Sequence, residues 1–250
     1  MIDFVKYDGV TLTDQWDIVN VSRNSSAMTS KTQTVQGRAG AVLMGTAPAP
    51  LQVSFIALVR GQYSEDRRES SRRLRAALQK GGVRRLEFSD DGGLYYLAAL
   101  KDIKETRYKR VTAWAVTMDV FEPFLFDSKT EQIVSSNGAS ANIPATKVDG
   151  TATTYPVVDL VGAVRGSGGY VEVKIDSGTP MRVTLPTSSA SRVIIDCSPS
   201  TRSVLVNGTA TMLTIDSDWW TLEPGEAHTV AVTAGTVASY TVSWINRWAV

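Results

Sequence analysis

Cysteine and histidine are nearly absent from this sequence, which has one of each among its 250 residues. A single cysteine cannot form a disulfide within the chain, and one histidine with one cysteine cannot supply the ligands of a typical zinc site. We therefore expect no intrachain disulfide, no metal site of this kind and no cofactor. Cys197 ends an apolar run and is expected to be buried. His228 has no obvious catalytic partner and is expected at a sheet edge or on the surface.

Long apolar segments are also missing. The longest apolar run, residues 94–100, has seven residues, whereas about 20 are needed to span a bilayer as a helix. The first residues show neither the charged start nor the long apolar stretch of a secretory signal. We therefore expect no membrane insertion and no secretory leader.

Neither sign of charge dominates, since 26 basic residues face 25 acidic ones and the formal net charge is +1. A dedicated nucleic-acid-binding domain is normally strongly basic, so this balance argues against that class. Hydrophobic residues make up 43% of the chain and charged residues 20%, which is typical of a globular protein. The composition predicts a soluble globular chain of one or two domains.

Valine and threonine are abundant, with 55 residues between them, and both favour the pleated surface of a strand. Short strand-like runs recur along the chain, separated by turn sequences such as DDGG at 90–93 and NG at 207–208. The sequence therefore predicts a mainly β fold with two β-sandwich-like domains. In the strand predicted at 111–121, the even-numbered side chains should face the core.

One segment breaks the β pattern and predicts an α-helix over about 64–80. Ser64 can cap its start, and Gly81 and Gly82 end it. The helix is rich in arginine, for which we consider three roles: docking on nucleic acid, a solvated outer face, or contact with a neighbouring subunit. The arginines, possible subunit-interface residues, are Arg67, Arg68, Arg72, Arg73 and Arg75.

The chain changes character after residue 128, where a stretch rich in Ser, Thr, Asn and Ala begins. The sign of the net charge changes at the same place, from +3 over residues 1–128 to −2 over residues 129–250. We expect a first β-rich domain at 1–128 that contains the helix, a linker region at 129–154, and a second β-sandwich domain at 155–250.

Sequence motifs for catalysis are weak. The GSGG turn at 166–169 lacks the glycine that a nucleophile elbow requires before its serine. Asp216 and Asp218 lie beside Trp219 and Trp220, and carbohydrate-active proteins use such carboxylates and aromatic rings. We predict a possible sugar or partner contact at Asp218, Trp219 and Trp220, with the alternative that one tryptophan packs in the core while the other lies near a loop. The chain is expected not to be an enzyme.

Seven segments in succession resemble the distal tail protein family of long-tailed bacteriophages and prophages. This sequence departs from the family's pattern at two places. Glu122 stands where aspartate is commoner in the family, and Glu226-Ala227 follows Pro-Gly where family members often have asparagine. The segments are FVKYDG at 4–9, TVQGRAGAVL at 34–43, LQVSFIALV at 51–59, RLEFSDDGGLYY at 85–96, FEPFLF at 121–126, VLVNG at 204–208 and WWTLEPGE at 219–226.

The resemblance implies a structural protein of the virion tail, made in the cytoplasm of the bacterial host. Its first domain would form a homohexameric ring that joins the tail tube to the tail tip or baseplate and leaves a channel through which DNA passes. Its second domain would be galectin-like and would dock other tail or receptor-binding proteins. The alternative function is a carbohydrate-binding module that contacts host-surface sugars through Trp219 and Trp220, and a cell-wall hydrolase ranks last.

Overall fold

The computed structural model describes residues 5–24, 28–34, 41–60, 64–108 and 111–250. The chain divides into two compact units, the first running to Phe126 and including Val250, and the second comprising Asp127–Ala249. Each unit has its own hydrophobic core. The predicted mainly β fold with one α-helix is confirmed for the described residues. Phe4 and residues 35–40, both parts of the family resemblance, lie outside them.

The first unit is an antiparallel sheet with one helix and a separate strand pair. Strands run in the order β3-β6-β9-β8-β7-β1-β2, while β4 and β5 pair only with each other among the described residues. The elements are β1 (Val5–Tyr7), β2 (Val10–Thr11), β3 (Asp17–Arg23), β4 (Met28–Thr34), β5 (Ala41–Pro48), β6 (Leu51–Arg60), α1 (Ser64–Leu78), β7 (Arg84–Phe88), β8 (Leu94–Arg107) and β9 (Val111–Val120). Short 3-10 turns lie at Leu12–Asp14 and Ser89–Asp91.

Strand β9 forms the centre of this sheet between β6 and β8. Its even-numbered side chains are all buried, as the alternation predicts. They face the core of the first unit, which also receives Leu74 and Leu78 from α1. The helix ends at Leu78, and Gly81 and Gly82 follow with φ of 66° and 69°, a left-handed conformation that glycine adopts without steric cost. The predicted helix is therefore confirmed, with its end two residues earlier.

The second unit consists of two antiparallel sheets that share one core. Their strand orders are β17-β16-β15-β12-β19-β10 and β11-β18-β13-β14. The elements are β10 (Phe124–Ser136), β11 (Ala141–Ile143), β12 (Val157–Val164), β13 (Tyr170–Ile175), β14 (Met181–Thr184), β15 (Ser189–Asp196), β16 (Ser203–Val206), β17 (Thr209–Thr211), β18 (His228–Ala234) and β19 (Ser239–Ala249). Val158 and Leu160 of the first sheet and Val171 and Val173 of the second lie in the same buried cluster, so the unit is a β-sandwich.

The segment 129–154, expected to be a linker, is instead structured within the second unit. It contains most of β10, all of β11 and a 3-10 turn at Ala145–Lys147. Ile143 and Val148 are buried in the core of that unit. Its many Ser, Thr and Asn residues suggested a loop, yet two of them, Ser135 and Thr154, are themselves buried and hydrogen-bonded within the unit. The last strand, β19, pairs with β12 and so belongs to the second unit.

Candidate functional site

A basic groove runs along one side of α1 and has a volume of about 410 Å³. Residues from the helix form one wall, and residues from the paired ends of β8 and β9 form the other. Among the described residues, five arginines and a single carboxylate line it. The lining residues are Ser64, Arg67, Arg68, Ser71, Arg72, Arg75, Glu105, Arg107, Tyr108, Thr112 and Trp114.

Two tryptophans fix the helix that forms this wall. The indole N–H of Trp114 donates to Ser71 Oγ at 3.2 Å, and that of Trp16 donates to Ser70 Oγ at 2.9 Å. Both rings are buried, so each hydrogen bond satisfies a donor that water cannot reach. Leu74 is fully buried one turn further along the helix. The basic groove therefore has a wall whose position is set by packing and directional hydrogen bonds.

The charge of the basic groove is strongly positive. The guanidinium of Arg107 donates to both carboxylate oxygens of Glu105, at 2.6 Å and 3.2 Å, and these hydrogen bonds raise the pKa of Arg107. The guanidinium carbon of Arg75 lies 4.7 Å from the ring centroid of Trp114, a cation–π contact. Guanidinium groups bind carboxylates and phosphates through paired hydrogen bonds. The basic groove can therefore hold an anionic group.

The opposite side of α1 carries the reverse charge. A second concave surface of about 530 Å³, which we call the acidic flank, has three carboxylates against one arginine among its described residues. Arg73 Nε donates to Glu69 Oε1 at 3.1 Å. The lining residues are Gln15, Glu65, Asp66, Glu69, Ser70 and Arg73.

The five arginines predicted from sequence as one set are thus divided. Arg67, Arg68, Arg72 and Arg75 line the basic groove, whereas Arg73 lies on the acidic flank. Sequence reasoning missed Arg107, Tyr108 and Trp114, which lie more than 30 residues away along the chain. Only the pairing of β8 with β9 brings them to the helix, and no local motif marks that approach.

The second predicted contact, around Asp218, is only partly on the surface. Trp220 is 4% exposed and its indole N–H donates to the Thr179 carbonyl at 3.3 Å, so its ring offers no face to a sugar. Trp219 is half-buried, with the Arg202 guanidinium carbon 5.6 Å from its ring centroid. Asp218 is exposed. This arrangement is the alternative weighed from sequence, with one tryptophan in the core and the other at the surface.

Cys197 and His228 both lie in the interior of the second unit. Burial raises the pKa of the Cys197 thiol to about 11, which keeps it protonated at neutral pH. The expectation of an edge or surface position for His228 is wrong. His228 is the first residue of β18, which lies between β11 and β13; it is 7% exposed, and its Nδ1 lies 2.8 Å from Asp176 Oδ2.

The described residues contain neither a metal-binding cluster nor a membrane-spanning helix. Within residues 5–24, 28–34, 41–60, 64–108 and 111–250, no group of three or more His, Cys, Asp or Glu side chains is placed to hold a metal ion. In the same ranges, no helix is long and apolar enough to cross a membrane.

Comparison with known proteins gives a consistent set of relatives. Residues 149–248 match the family model of the siphovirus-type tail component, C-terminal domain. No curated protein sequence matches the chain significantly. The crystal structure of the SPP1 Dit protein, described as a paradigm of the hub adsorption apparatus in phages that infect Gram-positive bacteria, is similar with a TM-score of 0.72 and 18% identity over 98% of both chains.

Two structures of the phage P2 baseplate in its activated conformation are similar as well. The calcium form has a TM-score of 0.54 and 12% identity, covering 97% of this chain and 98% of the other. The strontium form has a TM-score of 0.53 and 13% identity, covering 94% and 92%. The fold is therefore shared along nearly the full length of each relative.

Proposed function

We propose that the protein is a structural component of a phage tail, a distal tail hub. Its C-terminal domain matches the siphovirus-type tail component family, which makes this chain a relative of the distal tail proteins. The observation that carries the proposal is the fold shared with a phage hub protein over 98% of both chains. A part of the virion would act through its surfaces, and the proposed role is not enzymatic.

The finer proposal is a ring of six copies that joins the tail tube to the tail tip or baseplate. Head-to-tail contacts between identical subunits close into a ring when the rotation between neighbours permits. Host-cell synthesis and incorporation into the virion tail follow from the same role. Partners would be further copies of the chain, the tail tube, and tip, baseplate or receptor-binding proteins.

The strand pair β4–β5 supports an assembled state. It forms a sheet of two strands, and Leu43 and Met44 on β5 are 58% and 64% exposed. An isolated two-stranded sheet is marginally stable in water, and neighbouring apolar side chains favour being covered. A contact with another subunit or tail protein would stabilise this pair.

A central channel for DNA is the second part of the finer proposal. DNA in transit must not bind tightly to the protein, and tight binding would require many phosphate contacts from basic residues. The net charge of +1 supports this role because it provides no general attraction for DNA. The arginines of α1 would then serve contacts between proteins.

The mass of the assembly tests the proposal. We expect the full-length protein to form a particle of about 163 kDa, six times the 27.1 kDa of one chain, when its native mass is measured by light scattering or mass spectrometry. A chain that remains a 27.1 kDa monomer at high concentration would contradict the ring.

A further inference from the structure

We propose that the two sides of α1 are the two halves of one contact between copies of this chain, in which the acidic flank of one copy binds the basic groove of the next. The inference rests on the proposed ring and names the surfaces that would close it. It assigns a second copy of the same chain as the occupant of the basic groove.

The helical repeat separates the two charges. Glu65 and Glu69 are one turn apart and therefore share a side of α1, and Arg68 and Arg72 share another side for the same reason. Leu74 faces the core between these sides. A helix with an evenly solvated outer face would mix both signs on each side. Here the lining of the basic groove has five arginines against one glutamate, and that of the acidic flank has three carboxylates against one arginine.

Ion pairs within the chain lie on both surfaces. In the basic groove, Glu105 is held by Arg107. On the acidic flank, Glu69 is paired with Arg73 at 3.1 Å and lies 3.9 Å from Arg72. These side chains remain exposed, at 53% for Glu69, 65% for Arg73 and 78% for Arg72. Both surfaces are therefore accessible to a partner and opposite in sign.

Complementary surfaces at different places on one molecule produce a head-to-tail contact. A two-fold symmetric dimer through either surface alone would place like charges together, which electrostatic repulsion disfavours. Both surfaces are concave and both are built around the same rigid helix, so each copy would offer one to each neighbour. A nucleic acid or an unrelated acidic protein in the basic groove would leave the acidic flank without a role.

The test uses two charge-reversal variants of the full-length protein. The first, Arg68→Glu with Arg72→Glu and Arg75→Glu, leaves two arginines against four carboxylates in the basic groove, so that both surfaces are acidic. The second, Glu65→Lys with Glu69→Lys, leaves one carboxylate against three cations on the acidic flank, so that both surfaces are basic. These side chains are exposed on the helix, so folding should be retained, which circular dichroism would verify. Each variant alone should need at least about 100-fold more protein for half-assembly, because like charges then meet at every contact.

Mixing the two variants in equal amounts should restore assembly, because every acidic surface then finds a basic one and the ring alternates. Combining all five substitutions in one chain should restore it too. A control variant, Lys101→Glu with Lys104→Glu and Lys129→Glu, has the same change in net charge as the first variant at side chains 45%, 77% and 71% exposed. It should assemble like the wild type.

The outcomes separate this inference from the proposed function. A wild-type chain that stays monomeric would contradict the ring itself. A wild-type ring with both reversal variants assembling normally would leave the ring intact and overturn the inference. Loss of assembly in both variants without recovery on mixing would also overturn it, and would point to another anionic occupant of the basic groove.

Discussion

Two matched leucines allow the independence of the two hydrophobic cores to be measured. Leu74 in the first unit and Leu160 in the second are both fully buried. Replacing a buried leucine by alanine typically costs 2–5 kcal/mol, through lost transfer free energy and the cavity that remains. We take about 3 kcal/mol for each site. Since every 1.4 kcal/mol is about tenfold in an equilibrium constant, the open population of the affected unit should rise about 100-fold.

Cys197 reports on the second unit alone. It is the one cysteine of the chain, it is fully buried in the core that contains Leu160, and burial raises its pKa to about 11. A thiol reagent near neutral pH should therefore react only when this unit opens, at a rate proportional to its open population. We expect Leu160→Ala to accelerate labelling about 100-fold and Leu74→Ala to leave the rate within about twofold of wild type.

The comparison between the two variants decides the outcome. Leu74→Ala should still lower the midpoint of denaturant unfolding followed by tryptophan fluorescence, which shows that the substitution acts on the first unit. If Leu74→Ala accelerated Cys197 labelling as strongly as Leu160→Ala, the two cores would unfold as one, and the prediction that they open independently would be refuted.

Three further predictions concern single contacts. Ser71→Ala should lower the free energy of unfolding by about 1–3 kcal/mol in urea titrations, because it leaves the buried indole N–H of Trp114 unpaired; an unchanged value would mean that water replaces the hydroxyl. Trp220→Ala should cost about 3–5 kcal/mol, since the ring is 4% exposed, whereas Trp219→Ala should cost less than half as much; equal costs would contradict their different burial. Burial acts to raise the pKa of Asp176, but hydrogen bonds from the Thr229 N–H and the His228 ring outweigh it and hold that pKa below its ordinary value. The contribution of the Asp176 carboxylate to folding stability is therefore present above its unfolded pKa near 3.9, and it is lost as pH falls through the lower pKa of the folded state. Asp176→Asn should thus lose less stability than wild type between about pH 5 and pH 2, and identical acid unfolding curves would show that the pair contributes nothing.

The sequence predicted the local features of the fold well. The alternation in β9 places Trp114, Val116 and Met118 in the core as expected, and the helix begins at Ser64 and ends before Gly81. These features depend on neighbouring residues and on the periods of strands and helices. The resemblance to distal tail proteins, based on the order of short segments, is confirmed by the family match and the shared fold.

Features that depend on pairing between distant strands could not be predicted in this way. The segment 129–154 has the composition of a loop, yet Ile143 and Val148 anchor it in a core built mostly by later strands. His228 was expected at an edge or on the surface because it lies beside the predicted strand at 229–232, but it is buried at the start of β18, which lies between β11 and β13. The basic groove itself depends on Arg107 and Trp114 meeting α1 across the sheet.

The division of charge on α1 shows how a surface can be misread from composition. The helix contains five arginines and three carboxylates, and as a list they suggest a solvated face with a modest basic excess. Their placement separates the signs, so that the basic groove can hold an anionic partner and the acidic flank a cationic one. The arrangement gives a chain of nearly neutral net charge two strongly charged surfaces.

Negative-stain electron microscopy of the purified full-length protein tests the central claim most directly. The proposed hub predicts class averages with six-fold symmetry and an open central hole. Fields of single compact particles at concentrations well above those needed for imaging, or closed two-fold dimers without a hole, would contradict it.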